Sequence, residues 1–385
     1  MQSITSFKLA LVSTAVFGAL AASPAFAADK VIKLGFSAPL TGPQAHYGED
    51  MRNGLVLALE EANAQKIEID GATARFELVA KDDQADPRTA VQVAQQIVDD
   101  GVDGVLGHFN SGTTIPASRV YNDAGIPQIA MATSPEYTQQ GYDNTFRMMT
   151  SDTQHGAAVG QFIVKDLAAK KVALIDDRTA YGQGLTDQVA RAVEKAGGQI
   201  VAREYTTDKA NDFTSILTNI KSKAPDAIFF GGLDAQSGPM KRQMQTLDIK
   251  APLVSGEMTR SDTFLRLAGN AANGTYASLA GVPLSTMAAG EKFAKDYQAR
   301  FKAEPGVYAP YAYDGAWNMI TAMKEAGSSK AEDYLPKLAA LKRNGATSSN
   351  IAYDQNGDLK EIAVTIYEVK DGKWTMVKTM VSQAN

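Results

Sequence analysis

Hydroxyl side chains gather at two points of this chain, in a setting that suits an anion. Gly107-His108-Phe109-Asn110-Ser111-Gly112-Thr113-Thr114 follows the run Val102 to Leu106, and Met131-Ala132-Thr133-Ser134-Pro135 follows Ile126 to Ala130. Each run reads as a buried parallel strand. Each turn leads into a helix start, with Ser111 or Thr113 ahead of Ile115-Pro116-Ala117 and Ser134 ahead of Pro135-Glu136. Two such turns at neighbouring strand ends would place hydroxyls and free backbone N–H groups around one point, a geometry for a small carboxylate. No base–nucleophile pair accompanies them, so the chemistry indicated is binding.

The opposite charge is offered by Glu257, which follows Pro252-Leu253-Val254-Ser255-Gly256. Strand ends of open α/β sheets are where ligands collect, although a lone carboxylate there also serves as a solvated loop residue or a cap. Tyr47, Tyr181 and Tyr308 sit in Gly- or Pro-flanked segments that read as loops. Singly they are ordinary packing residues; together they would wall a cleft.

Other chemistries fail on spacing. Gly107 to Gly112 has the spacing of a phosphate loop, but Thr113 stands where the lysine belongs. Gly182-Gln183-Gly184 lacks the third glycine of a dinucleotide fingerprint, with Asp187 in its place. Asp354 to Asp358 resembles the start of a calcium loop, yet Leu359 and Thr365 occupy the glycine and glutamate positions, so it reads as a turn. His46, His108 and His155 are scattered, and no metal site or cofactor is expected. Ser111 lacks a Gly-x-Ser-x-Gly elbow. Lys81-Asp82-Asp83 reads as a solvated loop or an internal polar contact.

The elements that would position these residues alternate. Val31 to Phe36, Arg75 to Ala80, Lys171 to Ile175, Ile200 to Glu204 and Ala227 to Phe230 read as strands. Helical runs separate them: Gly48 to Ala64, a helix opened by Asp86-Pro87, Leu185 to Ala196, Phe213 to Lys221 and Gly238 to Leu247. Parallel sheets covered by helices on both faces follow from this rhythm. It occurs twice, with a break near Thr150 to His155, which implies two similar lobes. Helices at Ala289 to Ala303 and Tyr311 to Ala326 come next, then a hairpin from Ile362 to Val381 turning at Asp371-Gly372.

The N-terminus reads as an export signal: Lys8, an apolar run from Leu9 to Ala22, and Ala25-Phe26-Ala27 as the cleavage pattern. Cleavage after Ala27 into a periplasm is expected, with residues 1–27 as signal peptide. No later run is long enough to span a membrane, and without cysteine there is no disulfide or lipidated cysteine anchor. Net charge is −5 with no Lys/Arg block, so nucleic-acid binding is not expected.

These marks together resemble the periplasmic leucine/isoleucine/valine-binding proteins of branched-chain amino-acid ABC transporters. The resemblance spans the mature chain: Pro39-Leu40-Thr41-Gly42-Pro43 with Tyr47-Gly48, Asp82-Asp83 before Asp86-Pro87, Gly107 through Ser118, Ala132 to Glu136, Tyr181-Gly182 and Gly256-Glu257. It implies a type I periplasmic-binding α/β fold of two doubly wound parallel-sheet lobes, 28–151 with 281–363 and 152–280 with 364–385, joined by three hinge crossovers. It further implies that Ser111 and Thr133 bind a ligand α-carboxylate, helped by backbone groups near Phe109 and Met131, and that Glu257 binds the α-ammonium; should Glu257 not do so, Asp152 and Asp234 are the acids to test next. Tyr47, Tyr181 and Tyr308 would line the side-chain pocket, with Phe109 and Asn110 nearby. Asn110, Leu233 and Met131 depart from the family's usual residues, which bears on side-chain preference. The expected protein is a monomeric, unanchored receptor that hands an aliphatic L-amino acid to a membrane permease. A receptor for another small carboxylate, amide or aromatic acid, and an exported α/β enzyme, are the alternatives.

Overall fold

The computed structural model describes residues 29–383, so the expected signal peptide lies outside the described residues. The chain begins with strand β1 (Lys30–Ala38), α1 (Ala45–Ala64), a short hairpin of β2 (Glu68–Ile69) and β3 (Ala72–Asp82), and α2 (Pro87–Asp99). β4 (Gly104–Gly107), α3 (Ser111–Asp123), β5 (Gln128–Ala130) and β6 (Thr145–Arg147) complete a six-stranded sheet of order β2-β3-β1-β4-β5-β6. Apart from the β2–β3 pair it is parallel throughout.

Local chemistry explains several boundaries. Asp86 caps α2, its carboxylate accepting from Arg88 N at 3.0 Å and Thr89 N at 2.8 Å, with Pro87 in the first turn. α1 buries Met51, Leu55, Ala58, Leu59 and Ala62. Its Gly54 lies against the Ala309 carbonyl so closely that a Cβ would sit 2.1 Å from that oxygen, so only glycine permits this approach.

The second half repeats the alternation with α4 (Asp152–Gln161), β7 (Lys171–Asp176), α5 (Ala180–Lys195), β8 (Gln199–Tyr205), α6 (Thr214–Ser222) and β9 (Ala227–Gly231). α7 (Asp234–Thr246), β10 (Leu253–Ser255), α8 (Asp262–Ala268) and β11 (Tyr276–Ala280) follow. The chain then returns to the first sheet with α9 (Ala288–Phe301), α10 (Ala309–Ala326) and α11 (Ala331–Ala339); α10 packs on α1 and β4. A small ladder of β12 (Lys342–Arg343) and β13 (Ile351–Ala352) precedes the long hairpin β14 (Glu361–Lys370) and β15 (Lys373–Gln383). That hairpin joins the second sheet, of order β15-β14-β11-β10-β9-β7-β8. Asp371 and Gly372 turn it with positive φ at both residues, as the Asp-Gly pair predicts.

Three segments cross between the sheets, and they lie side by side. Gly281 N donates to Ala363 O at 2.7 Å, and the Thr150 hydroxyl donates to the same carbonyl at 3.2 Å.

Several helices start earlier than periodicity indicates. α3 begins at Ser111 with Asn110 as its N-cap residue, so neither Ser111 nor Thr113 is the cap, and Pro116 lies inside the helix. α5 begins at Ala180, its Thr179 hydroxyl accepting from Gly182 N at 2.9 Å, and α10 begins at Ala309. Tyr47 and Tyr181 are therefore first-turn helix residues and Tyr308 an N-cap, not loop residues. Apolar periodicity does not see these first turns because Gly48, Gly182, Gly184 and Pro310 interrupt the apolar repeat there.

Candidate functional site

The ends of β4 and β5 bring the two hydroxyl-rich turns together. Ser111 Oγ accepts from Ser134 N at 3.3 Å, tying one turn to the other. Thr113 N and Thr114 N are both taken by the Asn110 carbonyl, at 3.1 and 2.9 Å. The amides of Ser111 and Gly112, at the first turn of a 13-residue helix, have no acceptor one turn back, and the helix dipole adds positive potential there. Arg147, fully buried, holds the second turn from behind. Its Nη1 donates to the carbonyls of Ala132 (2.6 Å) and Ser134 (2.8 Å), while Nε pairs with Asp358 at 2.7 Å. Asp358 belongs to the sequence that resembled a calcium loop; its neighbour Asp354 accepts from the amides of Asn356 and Asp358, which makes the segment a turn.

A small cavity of about 10 Å³, room for about one water molecule, lies between these turns and the second half of the chain. Phe109, Asn110, Ser111, Met131, Thr133, Tyr181, Glu257 and Tyr308 line it, joined by Met258, which sequence reasoning missed. Met131 and Met258 are unbranched and adaptable, so the walls can yield once the lobes part. Tyr47 is the exception among the expected residues. It stands behind the cavity wall, with ring centroids 5.3 Å from Phe109 and 5.6 Å from Tyr308, and its hydroxyl donates to the Met258 carbonyl. Asn110 Nδ2 donates to Gln44 Oε1 at 2.7 Å, leaving its buried Oδ1 without a partner.

The far side carries two buried acids. Glu257 is 2% exposed, and burial followed by the nearby Asp152 charge pushes its carboxyl up to about 8. Asp152, at the start of α4, is pushed to about 7 by burial, with the Thr133 hydroxyl opposing the rise, and neither of its oxygens has a geometrically sound hydrogen bond. His155 Nδ1 lies 3.3 Å from Glu257 Oε2, and burial drives this imidazole down to about 4, so it is neutral. Ser278 Oγ donates to the Ser255 carbonyl and sits 2.7 Å from His155 Nε2. That network assigns the imidazole proton to Nε2 and turns the Nδ1 lone pair toward Glu257. The hydroxyls of Tyr181 and Tyr308 are buried without partners. Two buried carboxyls and a neutral imidazole, with no basic side chain on the cavity lining, leave an acidic corner short of polar partners.

Asp234, the other acid considered for that role, is elsewhere. It pairs with His46 Nε2 at 2.9 Å and accepts from Ser261 Oγ at 2.6 Å, outside the cavity. Leu233 is buried as the N-cap residue of α7 and also stands off the lining. Asp83 is fully buried against His108 Nδ1 at 2.7 Å, an internal contact with no cleft exposure.

Hydroxyls and helix-start amides from the first half of the chain face a buried carboxyl from the second half across a small gap, the layout of a two-lobed binding cleft. Comparisons with known proteins agree with that class. The periplasmic binding protein family matches residues 31–373. The chain is 34% identical over 371 residues to Leu/Ile/Val-binding protein homolog 1 of Brucella suis, covering 94% of this chain and 97% of that one. It is 32% identical to the leucine-, isoleucine-, valine-, threonine-, and alanine-binding protein of Pseudomonas aeruginosa, over 93% and 95% of the two chains. The branched-chain amino acid transporter substrate binding protein LivJ of Streptococcus pneumoniae, solved in complex with isoleucine, superposes with a TM-score of 0.82 at 27% identity, over 92% and 100% of the chains. The chain belongs to the periplasmic binding protein family, with its type I fold.

Proposed function

We propose that this protein captures an aliphatic L-amino acid, branched-chain members foremost, between its lobes and delivers it to the membrane permease of an ABC importer. The names and bound isoleucine of its relatives support the ligand class. Within the chain the reading is supported by the buried Glu257 carboxyl, which lines the cavity together with Ser111 and Thr133 and has Asp152 close by, joined to Thr133 through its backbone. Ser111, Thr133 and the first-turn amides of α3 take the α-carboxylate; Glu257, seconded by Asp152, takes the α-ammonium. Phe109, Met131, Tyr181, Met258 and Tyr308 receive the side chain, with Asn110 at the rim and Tyr47 bracing the aromatic wall.

The ligand bridges two lobes, so binding favours closure. The lobes divide at the three crossovers, 28–151 with 281–363 and 152–280 with 364–385, near Ser151, Gly281 and Val364. Export by cleavage after Ala27 puts an unanchored monomer in the periplasm. Calorimetry against a panel of L-amino acids and small acids tests this reading: leucine, isoleucine and valine bind, and a protein that takes only urea or benzoates refutes it.

A further inference from the structure

Outside the cavity, one charged contact joins the two lobes at the mouth of the cleft. His46, in the first turn of α1, places Nε2 2.9 Å from Oδ2 of Asp234, the first residue of α7. The partners differ in access: the His46 side chain is 35% exposed, the Asp234 side chain 1%. Asp234 is steadied by the Ser261 hydroxyl, and the His46 ring rests on Tyr47 with centroids 3.9 Å apart. Tyr47 itself bonds the Met258 carbonyl, so two consecutive residues of α1 clasp two segments of the opposite lobe. Neither His46 nor Asp234 lines the ligand cavity.

We propose that His46 and Asp234 are a positioning pair, a latch that sets how long the lobes stay shut, with the imidazole proton tuning its grip. This rests on the proposed closure about the hinge but not on the ligand's identity. A charged imidazole meets Asp234 as an ion pair, a neutral one only as a hydrogen-bond donor, and the 2.9 Å contact serves both. Solvent reaches the imidazole, so protons can be exchanged there without the cleft opening. Opening the lobes breaks the contact, so the stronger, charged form lengthens closure and the neutral form shortens it.

Other charged groups face this mouth. Glu49 and Asp50 come from α1, Arg260 from the approach to α8 and Asp262 from its start, Glu304 from the loop before α10, and Lys373 from β15, around a cleft of about 630 Å³. Asp50 is committed to the amides of Gly306, Tyr308 and Ala309. All of these are shared by wild type and a His46 variant, so a comparison of the two cancels them. The comparison likewise cancels the titration of Glu257 and Asp152 inside the cavity.

The test exploits the absence of cysteine. Cysteines introduced at exposed Gln95 on α2 and exposed Lys209 after β8 carry a fluorophore pair that reports lobe separation by single-molecule energy transfer. Closed-state lifetimes are measured with L-leucine and without ligand, at pH 5.5 and pH 8, for the wild type, His46→Gln and Asp234→Asn. His46→Gln keeps a hydrogen-bond donor but no charge. Its closed lifetime should be shorter than wild type by about fivefold at pH 5.5 and by less than about twofold at pH 8. Asp234→Asn should reproduce the loss at pH 5.5. Equal lifetimes for wild type and His46→Gln at both pH values overturn the latch, and so does a loss of the same size at both, which marks packing alone. A protein that ignores leucine refutes the ligand reading, while its ligand-free lifetimes still decide the latch.

Discussion

Replacing Glu257 by glutamine should have two opposite effects, and together they isolate the role of its charge. In the closed, empty cleft the Glu257 carboxyl sits at about 8, so at pH 7 it closes mostly protonated. An open, solvated Glu257 with the ordinary value of 4.5 is ionised, and protonating it at pH 7 costs about 3.4 kcal/mol at 1.36 kcal/mol per pH unit. A ligand ammonium removes that cost by meeting the ionised carboxylate. Glutamine carries no such penalty, so the variant should close more readily when empty. It also gives the ammonium no charge, and losing a desolvated charge partner costs about 2–5 kcal/mol, or roughly 30- to several thousand-fold in Kd. Titration calorimetry with L-leucine reads the second effect, and small-angle scattering of the ligand-free variant reads the first as a smaller radius of gyration than wild type. A Kd within about threefold of wild type, matched by an unchanged ligand-free radius, would refute the assignment, and Asp152→Asn would be titrated next.

Removing the Ser111 hydroxyl by Ser111→Ala should weaken leucine binding by about 1.5–3 kcal/mol, the range for a hydrogen bond to a charged group, with urea stability little changed. Arg147→Met strips the buried support from the Ala132 and Ser134 carbonyls and orphans Asp358, so urea denaturation should register a loss of about 3–5 kcal/mol; a loss under about 1 kcal/mol contradicts that account. The raised carboxyls of Glu257 and Asp152 mean that the closed empty cleft binds more protons than an open one. Lowering pH from about 8 toward 5 should therefore compact the ligand-free protein in small-angle scattering, the effect fading in the Glu257→Gln, Asp152→Asn double variant.

Both hydroxyl turns and Glu257 were legible in the sequence for one reason: each ends an apolar strand, and strand ends in this architecture open onto the cleft. The alternation of strands and helices likewise carried most of the two sheets. The return of α9 to α11 to the first sheet was not readable from periodicity, which has no term for tertiary neighbours. Asp152 and His155 sit at a helix start with no motif around them, and only the fold sets them beside Glu257. Met258 follows Glu257 directly, but a methionine carries no sequence signal for facing a cavity. Asp234 and Tyr47 show the converse. Each belongs to a segment that reaches the cleft, yet one pairs with His46 at its mouth and the other braces the wall from behind.

Recognition of both ends of an α-amino acid by the cleft is tested by calorimetry on three molecules of one shape. L-leucine should bind at pH 7, whereas 4-methylpentanoate, which lacks the ammonium, and 3-methylbutylamine, which lacks the carboxylate, should each lose roughly 30-fold or more, the effect of leaving a buried charge unpaired. Binding of 4-methylpentanoate as tight as that of leucine would contradict the account.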